Sequence, residues 1–445
     1  MTRRLMAMTS ALVLSPGLAA CSDDQPPPRE KPTAKPTTVE EPGTLTFGAF
    51  GQPAELKAFD RVVDSFNASS QARHVELVTR NNHEQALEAV LAGEAPDVFL
   101  TPRRDLMELA ESESTRPVSL LLDERGIDFG DRYSRDALDA FSYDDDLQCM
   151  PYSVSPMVMY FNTEHVDFEK MERRGLDVPT VSSEGVRSDR WTLAEFAAAA
   201  QFATRRGKVD GVWIEPTLRG LAPFIYSGGG HLFDDDSDPT SLDFADDSTR
   251  SALEQTLTIL RDTTLTPSVD ELRKSTSLQL FKRGKLAMIA GFRDLVPELR
   301  AVEDLSFDTI SMPVIETPAT VGDIDGLCIS ADTEVVNDAA DFPAYAVSDA
   351  ALEIVTRTGY IVPANTEVAG SEAFLWPGRE PEHATVFNSA IRGMVIPPLL
   401  TTGADTEAAV SPCSTTSSPA RVCSTSSSPP RRSTTPRAPS STRSR

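Results

Sequence analysis

A cysteine close to the first residue carries the clearest chemical pattern in the chain. Cys21 follows Leu18-Ala19-Ala20 at the end of an apolar run, and two arginines precede that run. A basic segment, an apolar segment and small residues before a cleavage site are the parts of an export signal. A cysteine directly after the cut completes a bacterial lipobox, so we predict that residues 1–20 are removed and that the Cys21 sulfur is lipidated. An ordinary secretory peptide with a coincidental cysteine is the alternative.

Sequence patterns for covalent catalysis and for metal binding are absent. The chain has no GxSxG, HExxH or P-loop motif, and its five histidines are scattered without ligand spacing. Of two aspartate triplets, Asp144-Asp145-Asp146 lacks the spacing of a calcium loop, and Asp234-Asp235-Asp236 is typical of an acidic turn between two extended segments. We therefore predict no cofactor and no metal site. With 67 acidic residues, a chance carboxylate pair of the kind that a glycosidase needs stays open.

The net charge of the chain limits its binding partners, and its cysteines leave two alternatives for the interior. The net charge is -25, and because the last 35 residues carry six arginines and no acid, residues 1–410 carry -31. An acidic surface disfavours nucleic acid, which we exclude as a partner. Cys149 and Cys328 are either a disulfide formed in an oxidising compartment or two buried thiols.

Two segments have compositions that cannot bury a core. Residues 21–42 are rich in proline and charge, and we predict a tether between the lipid and a globular body. In residues 411–445, 24 of 35 residues are Ser, Thr or Pro and most others are Arg, which predicts a disordered tail. The tail starts abruptly after what looks like the beginning of a helix, so we hypothesise a frameshift product. A genuine mucin-like tail is the alternative.

The body between these segments alternates strand-like and helix-like runs, which predicts an α/β fold. No part of it has the sequence of a transmembrane helix. The predicted strands are 44–50, 75–79, 97–101, 148–153, 157–162, 285–290, 307–312 and 327–330, and the main predicted helices are 54–67, 83–92, 192–205, 249–262, 339–347 and 384–392. Thr192 and Glu195 have the spacing of a capping box at the start of one helix.

Seven segments in this order resemble the extracellular solute-binding proteins of ABC importers, in the large family that includes sugar binders. They are TLTFGAF (44–50), Ala95-Pro96-Asp97-Val98, Met150-Pro151-Tyr152, Met159-Tyr160-Phe161-Asn162, Trp191-Thr192-Leu193-Ala194-Glu195-Phe196, the glycine turn ending in Gly228-Gly229-Gly230, and Phe281-Lys282-Arg283-Gly284-Lys285-Leu286-Ala287-Met288. The last matches the family signature "F..GkaAM". It is architectural, and it does not name a ligand.

The resemblance implies a two-lobed periplasmic-binding-protein-like fold of type II. Each lobe would be a mainly parallel sheet flanked by helices, and the lobes would close like a hinge on a ligand cleft. The family pattern assigns 43–153 with 305–347 to lobe 1 and 156–300 with 350–410 to lobe 2. It also implies a monomer at the extracellular face of the cell membrane that captures a small solute, a carbohydrate or a derivative of one, and delivers it to ABC permease subunits.

Ligands of such sheets bind beyond the carboxyl ends of strands, and that rule selects site residues. The predicted ligand-binding residues are Phe50, Gly51, Gln52, Asn82, Thr101, Arg103, Tyr152, Trp213, Gly229, Gly230, Phe292, Arg293, Gly326 and Trp376. The aromatic residues are candidates to stack on a sugar ring, and arginines at the predicted cleft would admit an anionic solute. A secreted carbohydrate-active enzyme and a sensor that presents its ligand to a signalling receptor are the alternative functions.

Overall fold

The computed structural model describes residues 44–69, 74–182, 187–235 and 239–399. The predicted signal peptide, lipidated cysteine, tether and tail lie outside them. The strands are β1 (Leu45–Phe50), β2 (Val75–Arg80), β3 (Val98–Pro102), β4 (Thr115–Arg116), β5 (Ser142–Tyr143), β6 (Asp146–Leu147), β7 (Cys149–Pro156), β8 (Val158–Asn162), β9 (Met288–Gly291), β10 (Phe307–Ile310), β11 (Thr320–Ser330) and β12 (Met394–Val395).

Helices alternate with these strands along the described chain, and a 3-10 turn at Arg103–Asp105 follows β3. The helices are α1 (Pro53–Ser69), α2 (His83–Leu91), α3 (Leu106–Glu111), α4 (Ser119–Asp123), α5 (Phe129–Arg132), α6 (Arg135–Ala140), α7 (Phe168–Arg173), α8 (Leu193–Ala203), α9 (Leu218–Ser227), α10 (Asp247–Leu260), α11 (Val269–Lys274), α12 (Ser277–Lys282), α13 (Leu295–Arg300), α14 (Val336–Ala346), α15 (Asp349–Thr356), α16 (Thr366–Ala369), α17 (Glu372–Leu375) and α18 (Thr385–Ile391). Among the described residues, no helix is both long enough and apolar enough to cross a membrane.

Local sequence signals explain several of these elements directly. Helix α8 begins with the predicted capping box, in which the Thr192 side chain accepts from the Glu195 amide and the Glu195 side chain accepts in return from the Thr192 amide. Helix α1 buries one stripe, including Phe59, Val63 and Phe66, at the spacing of a helix face. Both helices lie within one or two residues of their predicted bounds, because these signals are local.

The larger sheet has seven strands, and its main path runs β12-β11-β3-β1-β2, with β4 and β7 also paired to β11. Strands β1, β2 and β3 are parallel, but β11 is antiparallel to both β3 and β7. Cys149 in β7 lies directly opposite Cys328 in β11, and the two form a disulfide with a Cα–Cα distance of 4.3 Å. The predicted alternatives for these cysteines are thereby resolved.

A smaller sheet of three strands has the order β10-β8-β9, and both of its pairings are antiparallel. The prediction of a mainly parallel sheet in each lobe is therefore wrong for this one. The chain leaves the larger sheet through β7 and enters the smaller one through β8, and it returns through β10 and β11. The chain therefore runs from lobe 1 to lobe 2 along β7 and β8, and back from lobe 2 to lobe 1 along β10 and β11. Because the two segments run in opposite directions, β8 is antiparallel to β10, and β7 is antiparallel to β11.

Buried side chains define two lobes around these sheets. Lobe 1 has one core, formed by β1–β3, β7, β11, α1–α6 and α14–α16, whereas lobe 2 packs cores on both faces of its sheet with α7–α13, α17 and α18. Two predicted boundaries differ from this packing. Residues 307–310 are β10 of the lobe 2 sheet, and Ala351, Leu352 and Val355 of α15 lie in the lobe 1 core. The sequence of an amphipathic element does not show which of two cores it covers.

Candidate functional site

The lobe 1 side of the site begins where β1 ends and α1 starts. Phe50 ends the strand, and Gly51 follows with φ +143°, a conformation that favours glycine. The chain then turns so that the Gln52 amide donates a 2.9 Å hydrogen bond to the Glu55 carboxylate in the first turn of α1. A carboxylate in this position also interacts favourably with the helix dipole.

Strand β11 passes between the lobes and carries two further carboxylates, Asp323 and Asp325. Ser153 of β7 donates a 2.7 Å hydrogen bond to Asp325. The pairing of β7 with β11 shifts at Asp325 and Gly326, which leaves Tyr152 as the extra residue of a β-bulge. A Cβ on Gly326 would lie 2.8 Å from the Phe141 ring, so close packing requires glycine here.

Lobe 2 contributes an aromatic ring, a carboxylate and an arginine. Phe292 and Asp294 follow β9, and the guanidinium of Arg219 from α9 lies 4.1 Å from the centre of the Phe292 ring. The same guanidinium is paired with Asp323, which also lies 3.8 Å from Arg104 of lobe 1. Asp323 therefore joins cations from both lobes. We name Glu55, Asp294, Asp323, Asp325, Arg104, Arg219 and Phe292 the cleft cluster.

Burial and neighbouring charges raise the pKa values of three carboxylates of the cleft cluster. Burial raises the pKa of Glu55 to about 7, and the nearby charges of Asp325 and Asp294 add to that rise. Burial likewise raises the pKa of Asp325 to about 6, against the hydrogen bond from Ser153 and with a contribution from Asp323. The pKa of Asp294 is raised by burial and by Asp323, while Arg219 lowers it. The ion pairs of Asp323 with Arg104 and Arg219 are direct contacts between charges of the two lobes.

Comparison with known proteins decides the family. The family model described as bacterial extracellular solute-binding protein matches residues 61–379, which is most of the chain. The chain belongs to the bacterial extracellular solute-binding proteins. A comparison with curated protein sequences finds no match.

Solved structures of solute-binding proteins share the fold of this binding protein. The ABC substrate-binding protein Lmo0181 from Listeria monocytogenes, in complex with cycloalternan, has a TM-score of 0.69 at 21% identity and covers 83% of this chain and 92% of its own. The GacH receptor of Streptomyces glaucescens, solved unliganded and with acarbose, has a TM-score of 0.64 at 17% identity, covering 83% and 91%. The maltose-binding protein MalE from Listeria monocytogenes, in complex with maltose, has a TM-score of 0.65 at 15% identity, covering 83% and 90%. The predicted two-lobed α/β fold is confirmed.

Several predicted ligand residues of this binding protein lie at or beside the cleft cluster. Phe50, Gly51 and Gln52 lead into Glu55, Thr101 pairs with Gly326, and Tyr152 is the residue of the bulge. The buried Tyr152 hydroxyl has no hydrogen-bond partner within the described part of the chain, and burial followed by the charge of Glu55 raises its pKa. Phe292 is itself a member of the cluster. Phe50, Thr101 and Phe292 lie at or directly after strand ends, which is the feature that the strand-end rule uses, whereas Tyr152 and Gly326 lie inside β7 and β11.

Other predicted residues have structural partners instead. The Asn82 side chain caps α2 by accepting from the Gln85 amide. Arg103 donates to the carbonyls of Ala140 and Pro397, and burial lowers its pKa to about 10. The ring of Trp376 lies between two arginine guanidinium groups, with Arg300 at 4.8 Å and Arg379 at 4.6 Å.

Arg293 is fully buried, and its guanidinium donates to the carbonyls of Gly359 and Phe374 rather than facing a cleft. In lobe 2, the indole of Trp213 donates to Glu215, Gly229 adopts φ +74°, and Gly230 packs on Thr249. As ligand contacts, these residues stay predictions.

Six members of the cleft cluster are not among the predicted ligand-binding residues: Glu55, Asp294, Asp323, Asp325, Arg104 and Arg219. The first half of β11 contains Gly322, Asp323, Asp325 and Gly326. Glycine and aspartate have low β-propensity, so this segment did not have the sequence pattern of a strand. The alternation of aspartate with Ile324 in this segment was an available signal. No group of three or more His, Cys, Asp or Glu side chains suited to a metal occurs in the described ranges.

Proposed function

We propose that this protein is a lipid-anchored extracellular receptor that captures a carbohydrate between its lobes and delivers it to an ABC permease. The cleft cluster carries the proposal, because Asp323 pairs with Arg104 of lobe 1 and with Arg219 of lobe 2, and Arg219 stacks on the Phe292 ring. Carboxylates accept hydrogen bonds from sugar hydroxyls, and an aromatic face packs on the apolar face of a sugar ring. Such a site can bind without covalent chemistry.

The similar solved structures support the choice of a carbohydrate. Lmo0181 is described with cycloalternan, GacH with acarbose and MalE with maltose. Because the sequence identities are low, these structures support only the class of ligand. Which carbohydrate this chain binds depends on its own side chains. The lipobox at Cys21 supports the anchor. Two acyl chains on one cysteine would hold the protein firmly at the membrane, since stable anchoring requires two membrane-binding signals.

A melting screen against a carbohydrate library tests the binding function. A ligand that binds only the folded state stabilises it by about 2.7 kcal/mol at 100-fold excess over Kd. We expect at least one sugar to raise Tm in a concentration-dependent way for the full mature chain. The Asp323→Asn variant should lose most of that shift. The matched control is Asp341→Asn, which breaks a comparable pair with Arg125 elsewhere on lobe 1. If no sugar raises Tm, the carbohydrate assignment is wrong.

Anchoring and delivery need separate tests. Metabolic labelling with a fatty acid should mark the wild-type protein and leave Cys21→Ser unlabelled and released from the membrane fraction. Cells that express the matching permease should take up the sugar found in the screen only when the anchored protein is present. Uptake that is unaffected by deletion of the protein would instead favour a sensor.

A further inference from the structure

One peptide group beside the cleft is held at both of its polar atoms by side chains. The Tyr160 hydroxyl donates a 2.5 Å hydrogen bond to the Phe292 carbonyl, and the Arg293 amide donates a 3.2 Å hydrogen bond to the Ser155 hydroxyl. The same carbonyl also accepts a longer hydrogen bond, of 3.3 Å, from the Leu295 amide. Because that carbonyl and the Arg293 amide belong to one planar peptide, these contacts fix the backbone next to the Phe292 side chain. We name Tyr160 and Ser155 the peptide clamp.

Both residues of the peptide clamp lie where the chain crosses between the lobes. Ser155 is in β7 and Tyr160 is in β8, and Met157 alone separates the two strands. Tyr160 is fully buried and Ser155 is 8% exposed, so water competes little for either hydroxyl. Hydrogen bonds in such surroundings are strong and hold their groups in place. A shift of the crossing strands therefore moves the Phe292 peptide with them.

The ring of Phe292 is connected to the same crossing by a second route. Ser155 lies directly opposite Asp323 in the pairing of β7 with β11. The Asp323 carboxylate is paired with Arg219, whose guanidinium lies 4.1 Å from the centre of the Phe292 ring. The backbone and the ring face of Phe292 are thus connected to neighbouring positions of two paired strands.

Burial distinguishes the peptide clamp from the ring that it holds. Tyr160, Ser155 and Arg293 are buried, whereas the Phe292 side chain is half-buried at the lobe boundary. A ring that must be ordered when a solute binds loses part of its stacking energy to that ordering. Hydrogen bonds from a surrounding layer of residues remove this cost by holding the ring in advance.

Building on the proposed function, we propose that Tyr160 and Ser155 are positioning residues, which hold the Phe292 ring in the orientation that stacks on the sugar. Neither residue would touch the sugar. Because both lie on the crossing strands, they would also carry the ring toward the sugar as the lobes close. The affinity for sugar would then depend, through Phe292, on two buried hydroxyls.

A double-mutant cycle between Tyr160 and Phe292 tests this inference. Calorimetric titration of the full mature chain would use the sugar that raises Tm most in the carbohydrate library. Tyr160→Phe removes only the hydroxyl, and since one hydrogen bond is worth about fivefold in an equilibrium constant, we expect the affinity to fall by about that factor. In the Phe292→Ala background no ring remains to be positioned, so the same substitution should change the affinity by less than about twofold. A purely structural role would give the same factor in both backgrounds.

A second variant and a matched control complete the experiment. Ser155→Ala removes the acceptor at the other end of the peptide and should also lower the affinity several-fold, but only while the Phe292 ring is present. Tyr345→Phe removes a tyrosine hydroxyl that forms a 2.6 Å hydrogen bond with Ser65 in lobe 1. This control makes the same chemical change without contact to the Phe292 peptide, and it should leave the affinity unchanged.

Three results would overturn the role of the peptide clamp. They are wild-type affinity in both clamp variants, wild-type affinity in Phe292→Ala, and equal losses with and without the Phe292 ring. In these cases sugar binding itself still stands. Failure of every sugar in the library to bind would instead defeat the proposed function, and this inference with it.

Discussion

Two consecutive residues, Phe292 and Arg293, take part in two arginine–phenylalanine stacks with opposite roles. At the cleft, Arg219 lies over Phe292, remains partly exposed and pairs with a carboxylate. In the interior of lobe 2, Arg293 lies 4.4 Å from the Phe374 ring centre, is fully buried and donates to carbonyls. The same pair of residue types is thus a structural unit in one place and part of the proposed binding site in the other. The partners and the burial decide which.

Replacing the arginine by methionine in each stack should give the largest difference between them. Arg293→Met leaves the buried carbonyls of Gly359 and Phe374 without their donor, and each such loss costs about 1–3 kcal/mol. We expect the free energy of unfolding, measured by urea denaturation, to fall by about 3 kcal/mol. Arg219→Met removes a partly exposed ion pair and should cost no more than about 1 kcal/mol. An equal decrease in the free energy of unfolding for both variants would mean that the two stacks stabilise the fold equally.

Removing the aromatic partner should separate the sites in affinity. Phe292→Ala takes away the ring at the cleft, and we expect the affinity for the sugar found in the melting screen to fall about tenfold, from lost stacking and apolar contact. Trp376→Ala removes another ring stacked by arginines, but one that has no carboxylate of the cleft cluster beside it. Titration calorimetry should show unchanged affinity for that variant. An equal loss at Trp376 would restore it as a ligand residue.

The pH dependence of stability should distinguish the cleft carboxylates from ordinary helix caps. The pKa of Glu55 is about 7 in the folded state, above its usual value of 4.5, so the folded protein holds a proton that the unfolded chain releases. Stability from this group is therefore complete below pH 4.5 and is lost as the pH rises through 7. Glu55→Gln removes that loss, and the variant should gain on the order of 1 kcal/mol relative to wild type between pH 4.5 and 8.

Glu271 provides the matched control for this measurement because its pKa is shifted the other way. Hydrogen bonds from Ser268 in the capping box of α11 lower the pKa of Glu271. Its contribution is present above the unfolded value and is lost as the pH falls, so Glu271→Gln should lose stability relative to wild type as the pH rises. Parallel pH profiles for the two variants would contradict the assigned environments.

Sequence reasoning succeeded where the signal was local and failed where distant segments meet. The capping box of α8, the stripe of α1 and the end of β1 at Phe50 depend on neighbouring residues, and the structure has them as predicted. The first half of β11 was missed, since its strand character comes from pairing with β7, more than 150 residues earlier. For the same reason Asp323 could not be placed beside Arg104 and Arg219. Which charged residues of the two lobes lie next to each other depends on the topology of the fold, and the spacing of residues along the sequence does not predict it.

The smallest expected effect concerns Asn82, which the strand-end rule selected in the same way as Phe50. In the structure its side-chain oxygen accepts from the Gln85 amide and so caps α2. Asn82→Ala should therefore cost about 1 kcal/mol of stability, which is typical of a lost helix cap, whereas Asn82→Ser should recover most of it. Neither variant should change the affinity for the sugar in calorimetry. A loss of affinity that serine does not rescue would place Asn82 in the cleft, because a hydroxyl can replace the amide as a cap but cannot reproduce its reach toward a ligand.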